Sequence, residues 1–424
     1  MQQQPLGQHL GIEFAALSDI GLRRTSNQDS YVAAPAASDE NWQAHGHLFL
    51  VADGMGAHAA GELASKMAAD TVPLTYYKHT ELSVPEAIHL AVEEANEKIH
   101  SRGEANAEFR GMGTTASALL LLPQGALVAH VGDSRVYRLR RGLIEQLSFD
   151  HSLVWEMTAS GQVPAGQVPD YIPKNIITRS LGPNQNVEVD LEGPFPIEVG
   201  DTFVLCSDGL SGQVKDDELG AIVATLSPAE AVQMLVDLAN LRGGPDNITV
   251  IVTKATDERL ATNADRPWLV KDDPTKQVAG ISNWIWGALL VFATATLGLA
   301  ALEFYLPATA TAVAAVITGL VGFWQMMDSR APREVPTERF GTGPHRAEKC
   351  APNDELVTRM SKVVTQLSDA ATDEQWQIDW HHFNKFRDAA NEAANARRYD
   401  DAFRESCRAI SFMMSELRKH RRSL

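Results

Sequence analysis

The chain has 424 residues, of which 44% are hydrophobic, and it carries a formal net charge of −17 at pH 7. This length suggests two or three structural units, and the hydrophobic content excludes a mainly disordered chain. Most of the acidic excess lies before residue 328 and argues against non-specific nucleic-acid binding, because phosphate backbones attract clustered Lys and Arg side chains. The three cysteines form no CxxC pair, so neither a disulfide framework nor a zinc site is indicated.

Residues 11–254 alternate short apolar runs with Gly and Asp, and this pattern predicts a layered β core. Four aspartates lie where such a run ends or begins: Asp53, Asp133, Asp208 and Asp246. One aspartate of this kind is an ordinary turn residue, but four at strand ends predict carboxylates gathered at one rim of the core. Carboxylates packed together repel each other and need a counter-charge, and hard oxygen ligands suit Mg²⁺ or Mn²⁺.

A polar stretch at residues 255–280 is predicted to be a linker, and the block after it, 281–327, is almost uncharged. Glu303 is the one charged residue of that block and divides it into two apolar segments. A helix of about 20 such residues spans the roughly 30 Å hydrocarbon layer of a bilayer. We therefore expect a transmembrane helical hairpin with both flanks in the cytoplasm, since basic residues flank the block and none lies in its turn. A hairpin buried inside a soluble fold is the alternative.

Beyond the apolar block, residues 328–352 contain charged residues and four prolines, which predicts a semi-extended linker. Residues 353–424 have amphipathic spacing and predict a small α-helical C-terminal module. A helical bundle, a peptide-docking module and a dimerisation module all fit this spacing, so a protein partner for the module is one of the expectations.

Eight motifs of the first block resemble, in order, those of the bacterial metal-dependent serine/threonine protein phosphatases of type 2C. They are SDIGLRRTSNQDS, LVADGMGAHAAGE, GMGTTASALLL, AHVGDSRVYRLRRG, DHSLV, ITRSLG, GDTFVLCSDGLS and RGGPDNITV. The resemblance covers residues 11–254 and implies an α+β fold, in which two antiparallel sheets form a sandwich flanked by helices. It also implies two Mn²⁺ or Mg²⁺ ions in the core site and hydrolysis of phosphoserine and phosphothreonine.

Metal ligands follow from the resemblance where the motifs match. Asp53 would bridge the two ions, and the carbonyl of Gly54 would be a further ligand. Asp208 and Asp246 would bind the second ion. A hydroxide held between the ions would then attack phosphorus directly, with no phospho-enzyme. Cys206, in an apolar run, is accordingly predicted to be a core residue and not a nucleophile.

The resemblance also implies roles for three residues that do not bind the ions directly. Arg24 would bind the substrate phosphate, because a planar guanidinium matches a phosphoryl group, although its neighbour Arg23 could hold the role instead. Asp29 would orient a water or another ligand at the first ion. His58 would protonate the departing oxygen as general acid, or else shape its loop, in which case a bound water would be the acid.

Three positions depart from the family pattern. Gln28 replaces a carboxylate near the first ion, and Ala57 replaces a glycine. Gly212 replaces the aspartate that helps to bind a third, weaker ion, for which Asp133 remains as a ligand. We therefore expect an active enzyme with a weakened or absent third metal.

The sequence as a whole predicts a phosphatase held in the cell membrane by two helices, with its N- and C-terminal domains in the cytoplasm. The expected substrates are phosphorylated proteins of a serine/threonine kinase pathway, and no nucleic-acid partner is expected. Two alternatives belong to other functional classes. One is a metal-binding pseudo-phosphatase that docks phosphoproteins without turnover, and the other is a membrane scaffold.

Overall fold

The computed structural model describes residues 2–57, 59–163, 172–173, 176–262, 267–270, 283–328, 333–335 and 337–423. The chain divides into two compact units. The large unit comprises Met1–Tyr77, Pro85–Arg266 and Thr337–Leu424. The small unit comprises Lys78–Val84 and Pro267–Pro336.

The strands of the described residues are named β1 to β15 in chain order. They are β1 (Gln2–His9), β2 (Ile12–Asp19), β3 (Asp29–Ala34), β4 (His47–Met55), β5 (Gly113–Thr114), β6 (Ala116–Leu122), β7 (Gly125–Val131), β8 (Arg135–Arg140), β9 (Leu143–Gln146), β10 (Asp190–Phe195), β11 (Thr202–Cys206), β12 (Ile248–Ala255), β13 (Trp268–Val270), β14 (Arg333–Val335) and β15 (Arg346–Lys349).

The α-helices of the described residues are named α1 to α12. They are α1 (Asp39–His45), α2 (Ala60–Lys78), α3 (Val84–Ala105), α4 (Leu153–Ala159), α5 (Asp208–Ser211), α6 (Asp216–Thr225), α7 (Pro228–Leu241), α8 (Asn283–Ala301), α9 (Tyr305–Asp328), α10 (Asp354–Asp373), α11 (Trp380–Asn395) and α12 (Tyr399–Ser423).

Two antiparallel sheets form the centre of the large unit. One has seven strands in the order β1-β2-β12-β11-β8-β9-β15, and the other has the order β10-β7-β6-β4-β3 with β5 paired to β4. Phe14 and Phe203 from the first sheet and Phe49 from the second are buried in one apolar cluster between them. The predicted α+β fold, an antiparallel sandwich with flanking helices, is confirmed.

The C-terminal helices share an apolar core with the seven-stranded sheet. One cluster of buried side chains includes Val204 of β11, Leu235 of α7, Met360 of α10 and Phe403 of α12. Burial on this scale is worth about 1.5–3 kcal/mol for each large side chain. Although residue 353 stays our predicted start of a C-terminal module, its helices lie in the same compact unit as the sandwich.

Part of the predicted linker before these helices is an edge strand. β15 pairs with β9 and extends the seven-stranded sheet. A few residues earlier, Phe340 exchanges backbone hydrogen bonds with Gly193 of β10, a strand of the other sheet. His345 Nε2 lies 2.9 Å from Glu192 Oε1 of the same strand. The segment therefore closes one side of the sandwich.

The small unit holds a helical hairpin and a short ribbon. α8 and α9 contact each other, and the hydroxyls of Thr296 and Thr311 hydrogen-bond at 2.9 Å. β13 and β14 pair on either side of the hairpin in sequence. Within the described residues, Trp284–Ala301 and Tyr305–Gly322 are long and apolar enough to cross a membrane.

Candidate active site

Asp29 and Asp53 face each other at the end of a strand pair. The antiparallel register of β3 and β4 makes them direct partners. Gly54 follows, and its N–H donates to the carbonyl of Gln28 at 3.1 Å. A Cβ on Gly54 would lie 2.1 Å from the carbonyl oxygen of Gly61, so only glycine fits there. The neighbouring backbone therefore packs tightly around the end of β4.

Asp208 and Asp246 come from the other sheet. Asp208 is the first residue of α5, two residues after β11, and Asp246 lies two residues before β12. Strands β11 and β12 are antiparallel neighbours, which brings the end of one beside the start of the other. A Cβ on Gly209 would lie 1.9 Å from the carbonyl oxygen of Asn247, so this approach also requires glycine.

We refer to Asp29, Asp53, Asp133, Asp208 and Asp246 together as the carboxylate rim. Arg24 contacts this rim through its guanidinium group. Its Nη2 donates to Asp246 Oδ2 at 2.6 Å. This hydrogen bond, together with the charges of Asp246, Asp53 and Asp208, raises the pKa of Arg24. The side chain is 48% exposed, so the guanidinium lies where a ligand from solvent could contact it.

The carboxylates of the rim lie in a buried environment with too little positive charge. Burial is the main cause that raises the pKa of Asp53 well above its ordinary value, with added repulsion from Asp29, Asp208 and Asp133. Burial also raises the pKa of Asp29 to about 7 and that of Asp133 to about 7. The pKa of Asp208 rises for the same reason, with a contribution from Asp246. Such a cluster is stabilised by a bound cation.

Two buried oxygens of this cluster make no hydrogen bond within the protein: Oδ1 of Asp29 and Oδ1 of Asp133. Unpaired buried oxygens of this kind suit a hard divalent cation. Among the described residues, no three acidic, histidine or cysteine side chains already surround one ion-sized position. Instead the side chains pair locally, Asp53 with Asp208 and Asp246 with Arg24. The two unpaired buried oxygens and the carboxylate chemistry of the set fit divalent ions, although in this arrangement the side chains do not surround one position.

Several residues that the sequence analysis left without a role hold this rim together. Asn247 Nδ2 donates to the carbonyls of Ile20 and Ser26, at 2.9 and 3.0 Å, and its Oδ1 accepts from the Gln28 N–H at 2.8 Å. The Asn247 side chain thus ties the Arg24 loop to the Asp246 loop. Ser207 Oγ donates to Asp29 Oδ2 at 2.8 Å. Asn247 lies within the motif RGGPDNITV, but nothing in that string identifies its backbone partners.

Three further positions from the sequence analysis are His58, Gly212 and Cys206. His58 lies outside the described residues, so its role as general acid stays a prediction. Gly212 ends α5 with its N–H donating to the Asp208 carbonyl at 2.7 Å, and it brings no side chain towards Asp133. Cys206 is fully buried in β11, and burial raises the pKa of its thiol to about 12, which disfavours a thiolate.

Known proteins match this chain over the sandwich. The family model "Protein phosphatase 2C" matches residues 23–241. Protein phosphatase PhpP of Streptococcus pneumoniae is 37% identical over 256 residues, covering 58% of this chain and 99% of PhpP. The serine/threonine phosphatase Stp of Listeria monocytogenes is 37% identical over 214 residues, covering 49% of this chain and 84% of Stp.

Solved structures agree with these matches. The Mycobacterium tuberculosis serine/threonine phosphatase PstP/Ppp has a TM-score of 0.51 and 33% identity, covering 58% of this chain and all of that structure. The catalytic domain of PstP in complex with two manganese ions has a TM-score of 0.50 and 31% identity, covering 58% of this chain and 99% of that domain.

Proposed function

The chain belongs to the protein phosphatase 2C family and is a serine/threonine phosphatase of that type, and from this premise we propose how its own residues carry the reaction. The family is metal-dependent, and a related PstP domain was solved with two manganese ions. In our proposal Asp53, the carbonyl of Gly54, Asp208 and Asp246 hold two Mn²⁺ or Mg²⁺ ions. Phosphorylated proteins of a serine/threonine kinase pathway are the proposed substrates.

The buried carboxylate cluster is the observation that carries this proposal. Asp29, Asp53, Asp133 and Asp208 all have raised pKa values because they are buried beside one another. A protein keeps such an unfavourable arrangement where a ligand relieves it. Two divalent ions, when bound, supply positive charge and activate water for attack on phosphorus. The Asp29 carboxylate, fixed by Ser207, is proposed to orient a water or another ligand at the first ion.

Arg24 is the proposed phosphate-binding residue. It is half exposed at the rim, and its ion pair with Asp246 holds the guanidinium beside the proposed metal ligands. From there its planar N–H donors would hold the phosphoryl group of a substrate in a fixed orientation. A third metal is proposed to be weak or absent, since Asp133 has no carboxylate partner at Gly212.

A metal titration of turnover tests this assignment. The full chain, reconstituted in lipid nanodiscs, should hydrolyse a phosphothreonine peptide with Mn²⁺ and not with EDTA. Asp246→Asn should weaken activation by Mn²⁺, whereas Arg24→Lys should raise the KM for the peptide by about 10-fold, since a bidentate phosphate contact is lost. Folded wild-type protein that binds phosphopeptide with no turnover at any Mn²⁺ concentration would favour the pseudo-phosphatase alternative.

We also propose that the helical hairpin anchors the chain in the cell membrane, with residues 11–254 and 353–424 in the cytoplasm. Residues 255–280 and 328–352 connect the hairpin to these parts, and within 328–352 β15 also belongs to the sheet. The hairpin supports this because large apolar side chains remain exposed along both helices. Examples are Leu290 and Leu297 on α8 and Leu306 and Val316 on α9. Apolar surface of this extent is unfavourable in water and favourable in lipid. The same exposure disfavours a hairpin buried in a soluble fold.

Labelling of single introduced cysteines tests the topology. Glu303→Cys in the hairpin turn should react with a membrane-impermeant maleimide in intact cells. Arg387→Cys on α11 should react only after lysis, and the native cysteines are buried and serve as a low background. Labelling of both variants in intact cells, or release of the chain from membranes by carbonate, would contradict the anchoring proposal.

A further inference from the structure

The segment that carries Asp208 leads into α6 through a short turn at residues 212–215. Gly212 N–H donates to the Asp208 carbonyl, and the N–H groups of Gln213 and Val214 donate to the Leu210 carbonyl at 3.0 and 2.9 Å. α6 then begins at Asp216. These hydrogen bonds link residues 208–214, and Arg242, which contacts both the Gln213 carbonyl and Glu218, joins this turn to the start of α6. A contact that fixes the start of α6 therefore also restrains the turn that follows Asp208.

Two arginines from different parts of the chain hold the start of α6. Arg242, at the end of α7, forms a bidentate pair with Glu218 at 2.7 and 2.8 Å and donates to the Gln213 carbonyl at 2.7 Å. Arg359, on α10, pairs with Asp217, and its Nη1 lies 3.5 Å from Glu218 Oε1. The side chain of Glu218 is only 2% exposed, so its contacts with the two arginines are shielded from water.

Two further residues of the C-terminal part of the chain contact the same helix. Arg346 of β15 reaches Asp216 at 3.4 Å, and Asp216 also accepts from the Tyr137 hydroxyl at 3.0 Å. Cys350 packs so closely on α6 that a Cβ at Gly220 would lie 2.5 Å from its Sγ. Contacts across α6 therefore come from a part of the chain far removed in sequence from the metal-site motifs.

We propose that Arg359 is a positioning residue, which acts through Asp217 and Glu218 to fix residues 208–218 and so to hold Asp208 ready for metal. This inference rests on the proposed function in one respect, the assignment of Asp208 as a ligand. Groups that support metal ligands at one remove are generally worth about 10- to 100-fold in metal affinity. Arg359 acts one step further away, and we expect about 3- to 10-fold.

The fold should survive removal of this arginine. Glu218 keeps its bidentate pair with Arg242, and the Asp217 side chain has access to water. The apolar contacts of Met360 and Phe403 lie elsewhere on the C-terminal helices. A change in metal affinity is thus separable from a loss of global stability.

The test measures Mn²⁺ binding by electron paramagnetic resonance on the full chain in nanodiscs, for the wild type, Arg359→Ala, Arg359→Lys and the control Arg387→Ala. Arg387 is an arginine of α11 whose ion pair is with its own neighbour, Asp388. We expect Arg359→Ala to weaken Mn²⁺ binding by about 3- to 10-fold, Arg359→Lys to restore most of it, and Arg387→Ala to match the wild type. The kcat at saturating Mn²⁺ should change less than about 2-fold.

Amide hydrogen exchange in EDTA gives a readout that does not depend on the bound metal. The amides of residues 208–218 should exchange faster in Arg359→Ala than in the wild type, and those of β11 should exchange at the same rate. Unchanged Mn²⁺ affinity and unchanged exchange at 208–218 would overturn the proposal, as would equal effects in Arg387→Ala. If Asp53→Asn binds Mn²⁺ as tightly as the wild type does, the assignment of the metal site is wrong. That result is distinct from one in which only the role of Arg359 fails.

Discussion

The carboxylate rim and the interface of the C-terminal helices differ in how many of their carboxylates pair with an arginine. Interface carboxylates have such partners, although burial still raises the pKa of Asp237, the partner of Arg418, to about 6. At the rim, Asp29, Asp53 and Asp133 are buried with too few cations, and their pKa values are raised. At the interface, Glu230 is half-buried, yet hydrogen bonds from Ser227 and the pair with Arg408 hold its pKa below the ordinary value against the effect of burial.

The contrast indicates that the rim serves to bind metal and that the interface serves to stabilise the fold. The rim stores electrostatic repulsion that a cation relieves, so its stability depends on a ligand. The interface combines matched ion pairs with a continuous apolar cluster, so its stability is intrinsic. Changes at the rim should therefore alter metal binding and turnover, whereas changes in the apolar cluster of the interface should alter the free energy of unfolding.

The largest effect is expected at Asp53. Asp53→Asn removes the proposed bridging ligand and should lower turnover on the order of 10⁴-fold, or about 5 kcal/mol of activation free energy. The same change removes like-charge repulsion, so the metal-free protein should unfold at a higher temperature. Calorimetry in EDTA and peptide hydrolysis in Mn²⁺ measure the two effects, with the exposed Asp70→Asn as control. A metal-free Asp53→Asn protein less stable than the wild type would contradict the picture of a strained rim.

The interface should show the reverse behaviour. Phe403→Ala opens a cavity in the cluster shared with the sheet and should cost about 3–5 kcal/mol of unfolding free energy. The Mn²⁺ affinity of the protein that remains folded should be unchanged. Urea unfolding gives the first quantity and a metal titration the second, and the exposed Leu74→Ala serves as control. If Phe403→Ala lowered the Mn²⁺ affinity and left the free energy of unfolding unchanged, this prediction would be wrong.

The stability of the metal-free protein should depend on pH with a definite sign. Because folding raises the pKa of Asp29 and Asp133 to about 7, the folded state binds more protons than the unfolded state between the ordinary carboxyl range near 4 and about pH 7. The free energy of unfolding should thus fall as pH rises through that window. Melting curves from pH 5 to 8 in EDTA test this, and Mn²⁺ should raise the melting temperature most at high pH. A melting temperature that does not change with pH in EDTA would contradict the raised pKa values of Asp29 and Asp133.

The smallest effect concerns the third metal. Gly212 has φ −74° and ψ −19°, a helical conformation open to any residue, and its Cβ would lie 3.0 Å from the Asp208 carbonyl. Gly212→Asp should add a second, weaker phase of Mn²⁺ activation of about 2- to 5-fold. Asp133→Asn in the same chain should abolish that phase. If the wild type already shows this phase, the proposed loss of the third metal is wrong.

The rim was predictable from sequence because local pattern carries it. Apolar runs that end in Asp-Gly mark strand ends, and the family motifs supply the order. The support of the rim was not predictable to the same degree. β15 reads RAEK, with no β-branched residue, and it pairs because β9 leaves an open edge. Arg359 contacts a residue 142 positions earlier, and no local spacing encodes such a pair.

The central claim is that the buried carboxylates hold the divalent ions on which hydrolysis depends. The most direct test is a Mn²⁺ titration of the full chain in nanodiscs, with bound metal and phosphothreonine-peptide hydrolysis followed in the same sample. We predict that two ions bind per chain, that hydrolysis rises with their occupancy, and that Asp53→Asn abolishes both. Hydrolysis that proceeds in EDTA, or metal binding that Asp53→Asn leaves intact, would contradict the claim.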